Sequence, residues 1–161
     1  MSAKGIRDID VIRTFVLQGT LNFTRYFFKI RQKRKFVIGK HHREIAAALD
    51  KVLCGEITRL IINIAPRYGK TELAVKNFIA EGLAINPKAK FIHLSYSDDL
   101  ARDNSRGVQD IINEPEYRRI FPATIPTSTN TKKWYTTEGG GLYAVSSAGQ
   151  VTGFGAGLVD E

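Results

Sequence analysis

An α/β fold, with a parallel sheet flanked by helices and a helical extension on its N-terminal side, is what this 161-residue sequence predicts. Three observations carry it. The apolar, β-branched run at residues 60–64 leads through a short loop into a helical pattern. A second apolar run, at residues 90–96, is followed by another helical pattern. Strand–helix–strand–helix order, in turn, favours parallel strands joined by right-handed crossovers.

Residues 8–34 read as one or two helices. Ile9, Ile12, Phe15 and Val16 recur at helical spacing, and Phe23, Phe27, Phe28 and Ile30 do so less regularly. Phe36, Val37 and Ile38 form a short extended run ended by Gly39. Residues 42–53 are helical again, with Ile45, Ala46, Leu49, Val52 and Leu53 on one face. Gly55 stops that helix, and residues 60–64 form the first strand, apolar enough for burial on both sides.

Residues 71–85 give the next helix, burying Val75, Phe78, Ile79 and Leu83 and ending at Asn86-Pro87. Residues 90–96 form the second strand. Ser97 then caps a helix that carries Asp98 and Asp99 in its first turn and runs to about Asn113, burying Leu100, Val108, Ile111 and Ile112. Beyond Pro122 the chain turns polar. Trp134-Tyr135-Thr136-Thr137 and Leu142-Tyr143-Ala144-Val145-Ser146, joined through Glu138 and three glycines, read as a hairpin. The glycine-rich stretch at 149–157 is either backbone that approaches a ligand or a connector.

Composition sets outer bounds. The chain is long enough for one domain with a sizeable core, and 43% hydrophobic with 25% charged residues is ordinary for a globular protein. The single cysteine, Cys54, forbids an internal disulfide and fits a reducing compartment; as a lone thiol it is expected to be a small buried residue. No apolar leader follows Met1, and no apolar run reaches the length of a membrane span, so no membrane partner is expected. A net charge of +8 points to a polyanionic partner. Much of the excess lies in Arg25, Lys29, Arg31, Lys33, Arg34, Lys35, Lys40 and Arg43, interleaved with Phe23, Tyr26, Phe27, Phe28 and Phe36. That segment is either a phosphate-contacting face or an amphipathic helix with its aromatics packed inward.

The densest chemical signal is Ala65-Pro66-Arg67-Tyr68-Gly69-Lys70-Thr71-Glu72. An apolar run, a loop ending Gly-Lys-Thr and a following helix make up a triphosphate-binding P-loop. Loop N–H groups and the helix N-terminus favour phosphate, Lys70 reaches the β/γ-phosphates, and the Thr71 hydroxyl ligates Mg²⁺. The first glycine of the usual pattern is replaced by Ile64. The same string also suits a plain strand–turn–helix corner with a surface lysine, and its position between two predicted elements favours the phosphate loop. An ATPase also needs a carboxylate at the tip of a neighbouring apolar strand. The one candidate is Asp160, with Glu161, after only Leu158 and Val159. The expectation is that the sheet is incomplete at the C-terminal end and that the strand bearing the acid lies beyond it.

With these residues laid out, the chain resembles the large terminase subunit of tailed bacteriophages, the DNA-packaging ATPase, in the N-terminal part of its ATPase domain. The resemblance runs through the aromatic-basic segment 23–35, Phe36-Val37-Ile38-Gly39-Lys40-His41-His42-Arg43, the stretch from Gly55 through the loop string to Glu72, Ser95-Tyr96-Ser97-Asp98-Asp99-Leu100-Ala101-Arg102-Asp103-Asn104-Ser105-Arg106, and Thr152-Gly153-Phe154-Gly155-Ala156-Gly157. The family carries a proline-arginine phosphate loop without the first glycine, as here.

The resemblance implies a P-loop NTPase fold of the ASCE/RecA-like kind, with residues 1–35 as a helical basic segment, residues 36–161 as the N-terminal portion of the ATPase domain, and no nuclease domain. It implies ATP and Mg²⁺ as ligands, held by Pro66, Arg67, Tyr68, Gly69, Lys70, Thr71 and Glu72. Lys70 and Arg67 would be catalytic, with Arg67 on the γ-phosphate, and His42 would sit on the adenine side. Thr71 and Asp160 would serve the metal. Double-stranded DNA, a homo-oligomeric ring on the portal, the small terminase subunit and the host cytoplasm come with it. Arg102, Arg106, Arg118 and Arg119 are equal candidates for an arginine acting on a neighbour's ATP. Two alternatives stand beside this reading: a nucleotide- or DNA-binding fragment without turnover of its own, and another P-loop translocase such as a helicase.

Overall fold

The computed structural model describes residues 8–148. Two helices, α1 (Asp8–Val16) and α2 (Thr20–Gln32), fill the first segment, and α3 (Lys40–Leu53) follows an extended linker. The helix after the loop is wound unusually. Glu72–Asn77 is π-helical and passes directly into α4 (Phe78–Ile85). The Asn77 side chain donates to the Glu72 carbonyl at 2.8 Å, occupying an acceptor that a regular helix would give to the main chain. Beyond this lie β1 (Lys90–Ser95), α5 (Asp98–Asn113), α6 (Pro115–Ile120), β2 (Lys133–Tyr135) and β3 (Gly141–Ser146). Ser97 caps α5 as its sequence predicts, its hydroxyl accepting from the Leu100 N–H at 3.3 Å.

The sheet is small and mixed, in the order β1-β3-β2. β1 runs parallel to β3 with Phe91 beside Leu142 and His93 beside Ala144. β2 and β3 form the predicted hairpin, with Trp134 opposite Leu142. The face bearing Phe91, His93, Leu142 and Trp134 is covered by α4 and α5. Phe91 lies so close to Gly82 of α4 that a Cβ there would meet the ring at 2.5 Å. The Trp134 indole N–H donates to the Ser105 hydroxyl of α5 at 2.9 Å, and the Asn104 amide lies 3.1 Å from the His93 ring. Leu94, on the other face, is 58% exposed.

Besides the burial expected of Leu100 in α5, which is 49% exposed, two expectations are overturned here. Residues 60–64 are extended but belong to no strand, and among the described residues the sheet has three strands, not all of them parallel. β-Branched side chains favour extended backbone, but a strand also needs a ladder partner. Here Ile61 is 93% exposed, while Ile62 packs with Ala46, Leu49 and Leu73 against α3. The second correction is Cys54, which is exposed at the end of α3 rather than buried.

The main core lies between α2, α4, α5 and α6. Phe23 and Phe27 of α2 stack with ring centroids 4.6 Å apart, and Phe27 and Phe121 flank Tyr117 at 5.3 and 5.1 Å. The Tyr117 hydroxyl donates to the Ala80 carbonyl at 2.8 Å, tying α6 to α4. The inward-facing reading of the aromatics therefore holds for Phe23 and Phe27, while Arg25 and Lys29 stay exposed. The short helix α6 had no counterpart in the sequence reading. Pro115 starts it, and the Arg13 guanidinium of α1 caps it by donating to the Ile120 carbonyl at 2.9 Å.

Candidate functional site

The loop at 66–71 is shaped by two residues with positive φ, Arg67 at +68° and Gly69 at +74°. Glycine takes that conformation freely, whereas an arginine there costs about 1–2 kcal/mol. The turn aims the chain into the helix. The first helical bond runs from the Leu73 N–H to the Gly69 carbonyl at 3.0 Å. The turn over Pro66 and Arg67 points the Tyr68 N–H back towards the Ala65 carbonyl, while the N–H groups of Arg67 and of Gly69 to Glu72 meet no protein acceptor among the described residues. Arg67, Lys70 and Thr71 are exposed beside them, and Lys70 makes no ion pair among the described residues. An array of open N–H donors with a lysine, an arginine and a hydroxyl suits an anion, and it offers no acceptor set for a cation alone.

The loop is held from behind by His42. The Gly39 N–H donates to His42 Nδ1 at 2.9 Å, as the third residue of a capping box accepts from its cap. The ring proton is thereby placed on Nε2, which donates to the Tyr68 carbonyl at 2.9 Å. Phe36 packs edge-on against the His42 ring at 4.9 Å, and His41 lies edge-on to Tyr68 at 5.5 Å. Burial lowers the His42 pKa below its ordinary value; the hydrogen bond to Tyr68 opposes this, and His41 adds to it. His42 is thus neutral near pH 7 and buried.

Glu72 turns away from the loop. Its carboxylate pairs with Arg31 of α2 at 2.8 Å and accepts from the Asn77 amide at 3.0 Å. The structure therefore brings together Pro66, Arg67, Tyr68, Gly69, Lys70 and Thr71, places His42 beneath them, and commits the Glu72 carboxylate to α2. Asp160 and Glu161 lie outside the described residues. Of the four arginines considered for a neighbouring subunit, Arg106 pairs with Asp103, Arg118 donates to Asn113 and Arg119 pairs with Glu116. Arg102 makes no hydrogen bond or ion pair among the described residues. Among those residues, no cluster of three or more His, Cys, Asp or Glu side chains is placed to hold a metal. No helix there is long and apolar enough to cross a membrane.

Sequence reasoning missed the Arg31 contact and the Asn77 wedge. Arg31 was visible only as one cation in a run, and nothing local marks its partner 41 positions away. No protein-family model, curated protein or solved structure matches this chain.

Proposed function

We propose that residues 66–71 form the phosphate-binding loop of an ATPase, and that the chain is the nucleotide-binding part of a DNA-packaging motor of the large-terminase kind, working on double-stranded DNA inside the host cell. The observation that carries the first step is the pairing of a Gly69-centred turn with open N–H groups and an exposed Lys70 and Thr71 at the start of a helix. The terminase reading, with its P-loop NTPase fold, oligomeric ring, portal and small subunit, rests on the resemblance in the loop and its flanking strings.

In this reading the N–H groups and Lys70 bind and orient the β- and γ-phosphates, Arg67 neutralises charge at the γ-phosphate, and Thr71 holds Mg²⁺ through its hydroxyl. The metal supplies charge neutralisation on the phosphate oxygens. A second reading, nucleotide binding without turnover by these residues alone, is favoured by one observation. Glu72, the carboxylate nearest the loop in sequence, is committed to Arg31 and cannot orient a water.

The test is Lys70→Ala in the full chain, read by binding of a fluorescent ATP analogue with Mg²⁺ and by ATP turnover. Loss of binding supports the loop. Binding at the wild-type level refutes it. Turnover by residues 1–161 that disappears in Lys70→Ala would remove the second reading.

A further inference from the structure

We infer that His42 is a positioning residue for the phosphate loop, a neutral imidazole that ties the Tyr68 carbonyl to the start of α3 and loses its hold on that start when it takes up a proton. The inference deepens the phosphate-loop reading and rests on it for its functional readout. It also has a readout that does not depend on nucleotide.

The geometry makes His42 a two-ended link. One ring nitrogen accepts from Gly39 at the start of α3, and the other donates to Tyr68 in the middle of the loop. The fit is close enough to dictate the residue opposite. A Cβ on Gly69 would lie 2.8 Å from His42 Nε2. Holding the Tyr68 carbonyl against α3 turns that peptide's oxygen away from the ligand side, and the two positive-φ residues flank the latched carbonyl. Protonation adds a proton at Nδ1, where the Gly39 N–H already points. The cation keeps its Nε2–H bond to Tyr68 but loses the Gly39 bond that fixes the ring, which must turn away from that N–H and carry the loop with it.

The charges carried by the surrounding elements do nothing to rescue the cation. His41 and Lys40 lie on α3, Lys35 precedes Phe36, and Arg67 and Lys70 lie in the loop. His41 Nε2 is 3.2 Å from His42 Nε2. The nearby carboxylates are already engaged, Glu44 with Lys40 and Glu72 with Arg31. Burial acts in the same direction, lowering the pKa, and outweighs the hydrogen bond to Tyr68, which favours the cation.

The experiment measures binding of a fluorescent ATP analogue with Mg²⁺ between about pH 5 and pH 8, the range in which an imidazole titrates. It compares the wild type with His42→Gln, His42→Phe and His41→Asn. Glutamine accepts and donates as the neutral imidazole does but takes no proton. Wild-type binding should weaken about tenfold more than that of His42→Gln on acidification, one unit of linkage. His42→Phe should bind weakly at every pH, and His41→Asn should keep the acid loss. Titration of the analogue itself is common to all four and cancels.

An acid loss retained in His42→Gln, or abolished in His41→Asn, overturns the inference. So does wild-type affinity in His42→Phe. Nitrogen-15 spectra of the imidazole, recorded without nucleotide, test the latch by itself: a proton on Nε2 is expected, and a proton on Nδ1 near neutral pH overturns it. If no analogue binds the wild type while Nε2 carries the proton, the phosphate-loop reading fails and, with it, the functional role assigned to the latch.

Discussion

Arg31 and Glu72 meet at 2.8 Å with side chains only 9% and 17% exposed, joining the basic helix α2 to the first turn after Thr71. Removing one partner of such a pair leaves the other charge poorly solvated. Arg31→Leu is therefore expected to destabilise the fold by about 2–4 kcal/mol, since the Glu72 carboxylate keeps only the Asn77 amide. The double variant Arg31→Leu with Glu72→Leu should recover much of that loss. Urea unfolding of the wild type, both single variants and the double variant measures the coupling, and additive losses would show that the pair contributes nothing.

Glu81 gives a pH dependence of opposite sign to the usual carboxylate. It sits in α4 almost fully buried, with Oε2 lacking a partner. Burial pushes its pKa up to about 8; the Thr20 hydroxyl pulls it down, and the Asp50 charge raises it further. The fold therefore holds a proton that the unfolded chain releases above its ordinary value of 4.5. Stability from this group is complete below that value and is lost as pH rises towards about 8. Glu81→Gln should leave stability at acidic pH nearly unchanged and raise it by roughly 1–3 kcal/mol near pH 8, with partial compensation by its amide. Thermal unfolding across that range checks this, and parallel pH profiles for the two proteins would contradict it.

Much of the helical framework was legible because it rests on local signals. The Ser97 cap, the aspartates that follow it, and the buried Val108, Ile111 and Ile112 place α5 almost to the residue. The hairpin was legible for the same reason, through its alternating run and glycine turn. Residues 60–64 were not, because extended geometry is a local property and strand pairing is not. Their N–H and C=O groups need an adjacent edge, and among the described residues they lie along α3 instead. At the site, the Gly-Lys-Thr string marked where the chain turns into a helix. The role of His42 depended on the contact with Tyr68, 26 positions away, which no local pattern encodes.

Gly69→Ala should fail twice over. Alanine is strained at φ +74°, and its methyl would press on His42 Nε2 at 2.8 Å. A loss of about 1–3 kcal/mol is expected from conformation and displaced packing together. The telling measurement is amide hydrogen exchange across the loop and the start of α3. Faster exchange at Gly39 and His42, with α5 and α6 unchanged, marks a local release of the latch. Uniform acceleration would mean global destabilisation instead.

Arg67 offers the sharpest separation of stability from function. At φ +68° any L-residue carries the same backbone strain, so Arg67→Ala keeps the strain and Arg67→Gly relieves it. The glycine variant should be more stable than the alanine variant by about 1 kcal/mol, the left-handed penalty less the extra freedom glycine gives the unfolded chain. Equal stabilities in thermal unfolding would mean that the loop relaxes out of the left-handed region. The guanidinium is absent from both variants, so both should lose affinity for the triphosphate more than for the diphosphate analogue if Arg67 addresses the γ-phosphate. A glycine variant that is the more stable of the two and still binds triphosphate poorly would identify Arg67 as a residue held in an unfavourable conformation for its charge. Undiminished triphosphate preference in both variants would remove Arg67 from the site and leave Lys70 as the cation that discriminates.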